Sequence, residues 1–243
     1  MGIIEKPKLS ILVAKQHCLM ERKKLKPGDW IFILANLLPV YGVWFLGWHP
    51  VEAFIVYAME TLIAGIITIL KMLVVTFARG GDEWPANGSS TKQHGVVFIL
   101  FFIAHFGLFA IVQTTIFSET ANITPPGSGF FHFFFHWPSY VTREISYMLG
   151  AFTISYMAQY FFPFLLNGEY KTKPLMYIMF EPYGRIFIQQ ITVILGSMFL
   201  TLGLGKAFIL VFAGAKIWFD LFVNFSGILN KAMKDMKKDS PKE

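Results

Sequence analysis

Charge is scarce in this sequence. Only 15% of its residues are Asp, Glu, Lys or Arg, against about 25% in soluble domains. That leaves little room for a soluble domain. Cysteine occurs once, at Cys18, so no internal disulfide can form. Strict polar/apolar alternation is missing from the apolar stretches, which excludes a β-barrel. Catalytic signatures are missing too. There is no Gly-x-Ser-x-Gly, no His-Glu-x-x-His and no Gly-rich phosphate loop ending in Lys-Ser/Thr.

What is abundant is apolar surface: 55% of residues are hydrophobic and 17% aromatic. Runs without Asp, Glu, Lys or Arg recur at membrane-spanning length, over Trp30–Val51, Gln93–Ser118, Ile145–Gly168 and Ile186–Gly205. The pattern predicts an all-α polytopic bundle of about six transmembrane helices. The expected spans are Trp30–Trp48, Val51–Ala78, Gly95–Phe117, Pro138–Leu166, Tyr183–Leu202 and Ala207–Leu229. The domain layout follows: a basic segment over 1–29, the transmembrane domain over 30–229 and a charged tail over 230–243. No signal peptide is evident, and the first span is expected to act as an uncleaved insertion signal.

Net charge is +6. In a membrane protein that excess concerns topology and anionic lipid, not nucleic acid. Six spans place 16 Lys/Arg on the side of the two termini and leave Lys206 on the other. Both termini are therefore expected in the cytoplasm, and the protein in the cell membrane as a multi-pass chain. Residues 1–29 read either as a short interfacial helix with an apolar stripe at Leu9, Leu12, Val13 and Leu19, or as a solvated tail that only sets orientation. The segment Arg79–Lys92 reads as a polar loop, and Pro174–Phe180 as an interfacial stretch. Pro39 should kink the first span, with Asn36 satisfying a freed backbone group.

Ionisable residues inside the spans are the candidates for function. Each costs about 2.5–3.5 kcal/mol near the bilayer centre on insertion scales, so it usually has a partner or a job. Glu60 and Lys216 each lie roughly 13 Å along their helices from the outer face, and His105 roughly 15 Å from the inner face. Asp220 shares the face of Lys216, four residues on. The expectation is a polar cluster of Glu60, His105, Lys216 and Asp220. It reads as a proton, ion or substrate site, or as a structural pair that fixes helix packing. Lys71, Arg185 and Gln189 are secondary polar positions, with Lys71 expected to snorkel to the inner interface. On the outer face His132 and His136 are four apart, and His49 lies on the same side. With Glu52 or Glu119 they form a candidate metal site; the alternative is an aromatic belt, since six of the eight residues Phe130–Trp137 are aromatic. No cofactor is expected beyond that metal ion.

Several short motifs resemble an uncharacterised-domain family of bacterial and archaeal multi-pass membrane proteins. They are Asn36-Leu37-Leu38-Pro39 to Gly47-Trp48, Tyr57 to Glu60 with Lys71, Tyr183-Gly184-Arg185, Leu195-Gly196, and Lys216 with Asp220. The resemblance covers the two end hairpins and implies an architecture without a mechanism. It marks Glu60, Lys71, Arg185, Lys216 and Asp220 for testing. The functional expectation is a non-catalytic structural or accessory subunit of a membrane complex, bound to lipid and to other membrane subunits or to itself. The alternatives are a small transporter, channel or proton-coupled module around Glu60, His105 and Lys216, and a metalloenzyme using the three outer histidines.

Overall fold

The computed structural model describes residues 27–86, 89–120, 122–125, 127–129, 131–223 and 225–238. The stripe proposed for residues 9–19 lies outside the described residues. The chain is mostly helical, and three described helices are long and apolar enough to cross a membrane.

Helix α1 is Pro27–Phe45 and α2 is Pro50–Arg79. Local chemistry sets the start of α2. His49 caps it, accepting from Val51 N through Nδ1 at 3.3 Å, while Glu52 Oε2 accepts from His49 N at 3.2 Å. Pro50 follows, where a missing N–H costs nothing. Gly80 ends α2 at φ 77°, which favours glycine.

A two-stranded antiparallel hairpin follows, β1 (Gly81–Ala86) paired with β2 (Ser89–His94). The sequence reading of a loop here is corrected. The pairing of Ala86 with Ser89 leaves only Asn87-Gly88 between the strands, a strong hairpin dipeptide.

Helix α3 is Gly95–Thr120 and the short α4 is His132–His136. Pro138 does not open the next helix as expected but sits in a 3-10 turn, Trp137–Tyr140. Helix α5, Arg143–Tyr156, starts later because the Thr142 hydroxyl caps it, accepting from Ile145 N at 3.3 Å. It passes through a π-turn, Met157–Phe161, into α6, Phe162–Leu166. Then come α7 (Leu175–Phe180), α8 (Tyr183–Thr201), α9 (Gly205–Phe222) and α10 (Phe225–Lys238). Two readings change here. Helix α7 is buried from Leu175 to Met179 instead of lying in an interface. The last expected span divides at Val223, whose ψ of 112° is extended, and the tail carries on as a helix. Leu229 and Met233 of α10 turn inward, Met233 against a cluster containing Met176 and Ile178.

Helix α2 is central. It touches α3, α5, α7, α8 and α9. Its first half packs in one apolar cluster with Val43, Phe152, Ile209 and Phe212. Its second half packs in another with Phe98, Phe102, Phe164 and Leu175. The outer surface is itself apolar: Phe77, Leu100, Leu108, Ile154, Leu166 and Val211 are all exposed. So many exposed large apolar side chains are consistent with association with a membrane.

Gly65 lets α2 and α3 approach. A Cβ there would stand 2.5 Å from Cε1 of the Phe106 ring, so something must move. Gly65→Ala is expected to cost about 1–3 kcal/mol through overpacking. Gly107→Ala, whose Cβ meets nothing within 4 Å, should leave stability unchanged or raise it. Thermal melting of both variants in detergent checks the contrast.

Candidate functional site

Glu60, on α2, has no solvent exposure, and Lys216, on α9, has 3%. They form an ion pair, with Lys216 Nζ donating to Glu60 Oε2. The other carboxylate oxygen, Oε1, accepts from the Tyr156 hydroxyl at 2.8 Å. Tyr156 is the last residue of α5, so three helices meet at one carboxylate.

The ammonium is held a second way. Lys216 Nζ lies 4.8 Å from the Phe152 ring centre, 5.3 Å from Tyr57 and 5.9 Å from Phe32. A desolvated cation over an aromatic face gains about 2 kcal/mol or more. The ring of Tyr57 is fixed in turn by its hydroxyl, which donates to the Asn36 carbonyl at 3.2 Å. Asn36 does not answer the carbonyl that Pro39 frees. Its Nδ2 donates to the Phe32 carbonyl at 2.9 Å, one turn back.

A second charged group gathers around Lys71. It does not snorkel as expected: it is 4% exposed and donates to Glu181 Oε2 at 2.9 Å. Glu181 Oε1 accepts from Lys173 at 3.2 Å, and Lys173 also reaches Glu169 at 2.9 Å. The rings of Phe164 and Tyr160 stand 5.4 and 5.8 Å from Lys71 Nζ. The hairpin is tied to the same place. Arg79 Nη2 donates to the Lys173 carbonyl at 2.6 Å and to Asp82 Oδ2 at 3.3 Å, and that oxygen also accepts from Leu175 N at 2.9 Å.

The two groups are joined along one face of α2. Glu60, Ala64, Thr68 and Lys71 follow at spacings of four, four and three, which stack on one side of a helix. Facing them, Tyr156 and Tyr160 are four apart across the π-turn. Between the two faces lies a cavity of about 70 Å³ lined by Ala64, Ile67, Thr68, Lys71, Tyr156, Tyr160, Glu181 and Pro182.

The other expected positions sit elsewhere. His105 is exposed; its Nδ1 pairs with the Tyr183 hydroxyl at 2.6 Å, and its ring lies against Phe101 and Phe109. It belongs to the α3–α8 contact, not to the grouping around Glu60. The backbones of Asp220, Arg185 and Gln189 lie in α9 and α8, but their side chains are outside the described residues. His132 and His136 stack with ring centres 4.4 Å apart, and His136 Nδ1 faces the His132 carbonyl at 3.0 Å. His49 is engaged as the cap of α2, and Glu52 also accepts from the Thr142 hydroxyl at 3.1 Å. Among the described residues, no three His, Cys, Asp or Glu gather as a metal site would require.

Sequence reasoning missed Tyr156, Tyr160, Glu181 and Lys173. One signal was available: Glu60 and Lys71 are three helical turns apart, so both face the same neighbour.

Burial alone would push the Glu181 carboxyl up. The Lys71 and Lys173 charges and their hydrogen bonds outweigh burial and hold it below the ordinary carboxylate value. For Lys173, burial would lower the ammonium, but Glu181 and Glu169 outweigh it and hold it above the ordinary lysine value. The Glu181 contribution is therefore present above the unfolded carboxylate value and lost as pH falls through the lower folded value. The Lys173 contribution is present below the unfolded lysine value and lost as pH rises through the higher folded one. Unfolding in detergent across pH should show Glu181→Gln losing part of the acid-side slope and Lys173→Met part of the alkaline-side slope.

Comparison with known proteins gives a family and no activity. No curated protein and no solved structure matches the chain. A family model matches residues 19–243 and so covers the charged pair, the cavity and the Lys71 group together. The chain belongs to that family of unknown function, DUF6498.

Proposed function

We propose that this chain is a non-catalytic subunit of a membrane complex, built as about six transmembrane helices with both termini in the cytoplasm. The observation that carries the reading is the closure of Glu60. Both its oxygens are engaged and none of its surface is exposed. A carboxylate so enclosed locks α2, α5 and α9 together, and it is closed to a substrate.

Supporting the reading, small residues face outward. Gly150 and Gly214 have open space where a Cβ would stand. Ser146, Gly150 and Thr153 are exposed on α5, as are Ala207, Val211, Gly214 and Ala215 on α9. Faces of this kind let a neighbouring transmembrane helix come close. The partners are lipid and other membrane subunits, or a second copy of this chain. The Lys/Arg asymmetry supports the cytoplasmic orientation of the termini and the cell membrane as the location.

A second reading, a small proton-coupled module, is favoured by one observation: the cavity is lined in part by Tyr156, whose hydroxyl bonds Glu60.

Purification of the full chain from its native membrane in mild detergent tests the subunit reading. A partner at fixed stoichiometry, or a defined homo-oligomer, is the expected result; a lone monomer overturns it. The locking role has its own test. Lys216→Met leaves a buried carboxylate unpaired and should cost roughly 3–5 kcal/mol. Adding Glu60→Gln should recover most of that loss. Denaturation of the single and double variants measures the difference.

A further inference from the structure

The cavity lies where the two apolar clusters of the core meet. Ala64 and Ile67 belong to the first cluster, while Lys71 sits beside Phe164 of the second. Its volume is about 70 Å³. A water needs roughly 10–15 Å³ of such space and two or more polar partners. This cavity has the room, and Thr68, Lys71, Glu181, Tyr156 and Tyr160 supply the polar groups. Its lining includes the Glu181 carboxylate, which is 26% exposed. It also includes Tyr156, whose hydroxyl donates to Glu60 at 2.8 Å.

The backbone on one wall is irregular at this place. The π-turn Met157–Phe161 begins directly after Tyr156 and contains Tyr160. Such turns are rare, and they occur frequently at functional sites.

We propose that this cavity is a hydrated inlet through which protons reach Glu60 from the side bearing Lys71 and Glu181. The inference deepens the proton-coupled reading and rests on it. The step balances as a relay. A hydronium in the cavity gives a proton to the Tyr156 oxygen, and the Tyr156 hydroxyl proton passes to Glu60 Oε1. Tyrosine is regenerated, water remains in the cavity, and Glu60 becomes a neutral acid. The site gains one positive charge.

That charge is carried at Lys216, whose bond to Glu60 then joins an ammonium to a neutral acid. The aromatic contacts make this state tolerable. Phe152, Tyr57 and Phe32 surround the ammonium at 4.8 to 5.9 Å, independently of its bond to the carboxylate. Among the described residues, the titratable groups facing Glu60 are Lys216 of α9, Tyr156 of α5 and Tyr57 of its own helix. Those at the entrance are Lys71, Glu181, Lys173 and Glu169.

Infrared spectroscopy of the full chain in phosphatidylcholine–phosphatidylglycerol vesicles tests this. The carboxylic-acid band of Glu60 is assigned by its loss in Glu60→Gln. It should grow on acidification, and its hydrogen–deuterium shift after transfer to D2O should be timed. Tyr156→Phe removes the relay hydroxyl and keeps the ring; Ala64→Leu fills the cavity. Each should slow exchange roughly tenfold or more, the effect expected from losing about one hydrogen bond's worth of stabilisation. Thr68→Val serves if Ala64→Leu does not fold. Unchanged exchange in the variants overturns the inlet while leaving Glu60 a proton acceptor. No Glu60 acid band at any pH that keeps the protein folded overturns the inlet and the proton-coupled reading together.

Discussion

A carboxylate held away from water must be answered on every side, and the interior of this protein is arranged around that requirement. Taking a charge out of water costs several kcal/mol even after relaxation. At Glu60 the answer comes from two directions at once, an ammonium from α9 and a hydroxyl from α5. Neither helix could rotate by one residue and keep its bond. The azimuth of three helices is thus set by two oxygen atoms, whereas apolar contacts alone would tolerate slippage. Tyr57 extends the constraint to α1 through the Asn36 carbonyl. Four helices then share one polar anchor.

The Lys71 group does the corresponding work at the other end of α2. It binds a helix to loops: Glu181 and Lys173 lie around α7, and Arg79 and Asp82 bring in the hairpin. Every charge there has an opposite neighbour, so the group is close to neutral as a whole. Such a network can sit partly buried without a large field, and it orders a stretch that contains little regular structure.

Legibility in the sequence divided along physical lines. Helix α2 was readable because its apolar run, its proline start and its glycine end agree. Depth put Glu60 and Lys216 at one level, but left a Lys216–Asp220 pair as an equal alternative. Depth did not suffice for His105. Helical rise fixes the level of a residue but not the direction it faces, and α3 is apolar all round, so no periodicity marks its inner side. Tyr156 was hidden among many aromatic residues. Its spacing of four from Tyr160 put the two on one face of the expected span, but nothing in that spacing pointed to Glu60. The hairpin was announced by Asn87-Gly88, but its polar strands lack the alternating apolar residues that usually accompany that dipeptide.

The π-turn has a meaning for ancestry as well as for shape. It is what an α-helix becomes when it accepts one extra residue without breaking. The segment beyond the insertion is turned by about 100° relative to an uninterrupted helix. Here the two flanks answer to different charges: the stretch up to Tyr156 serves Glu60, and the stretch holding Tyr160 and Phe164 serves Lys71. A single inserted codon would uncouple them, letting each half be tuned by substitution without disturbing the other.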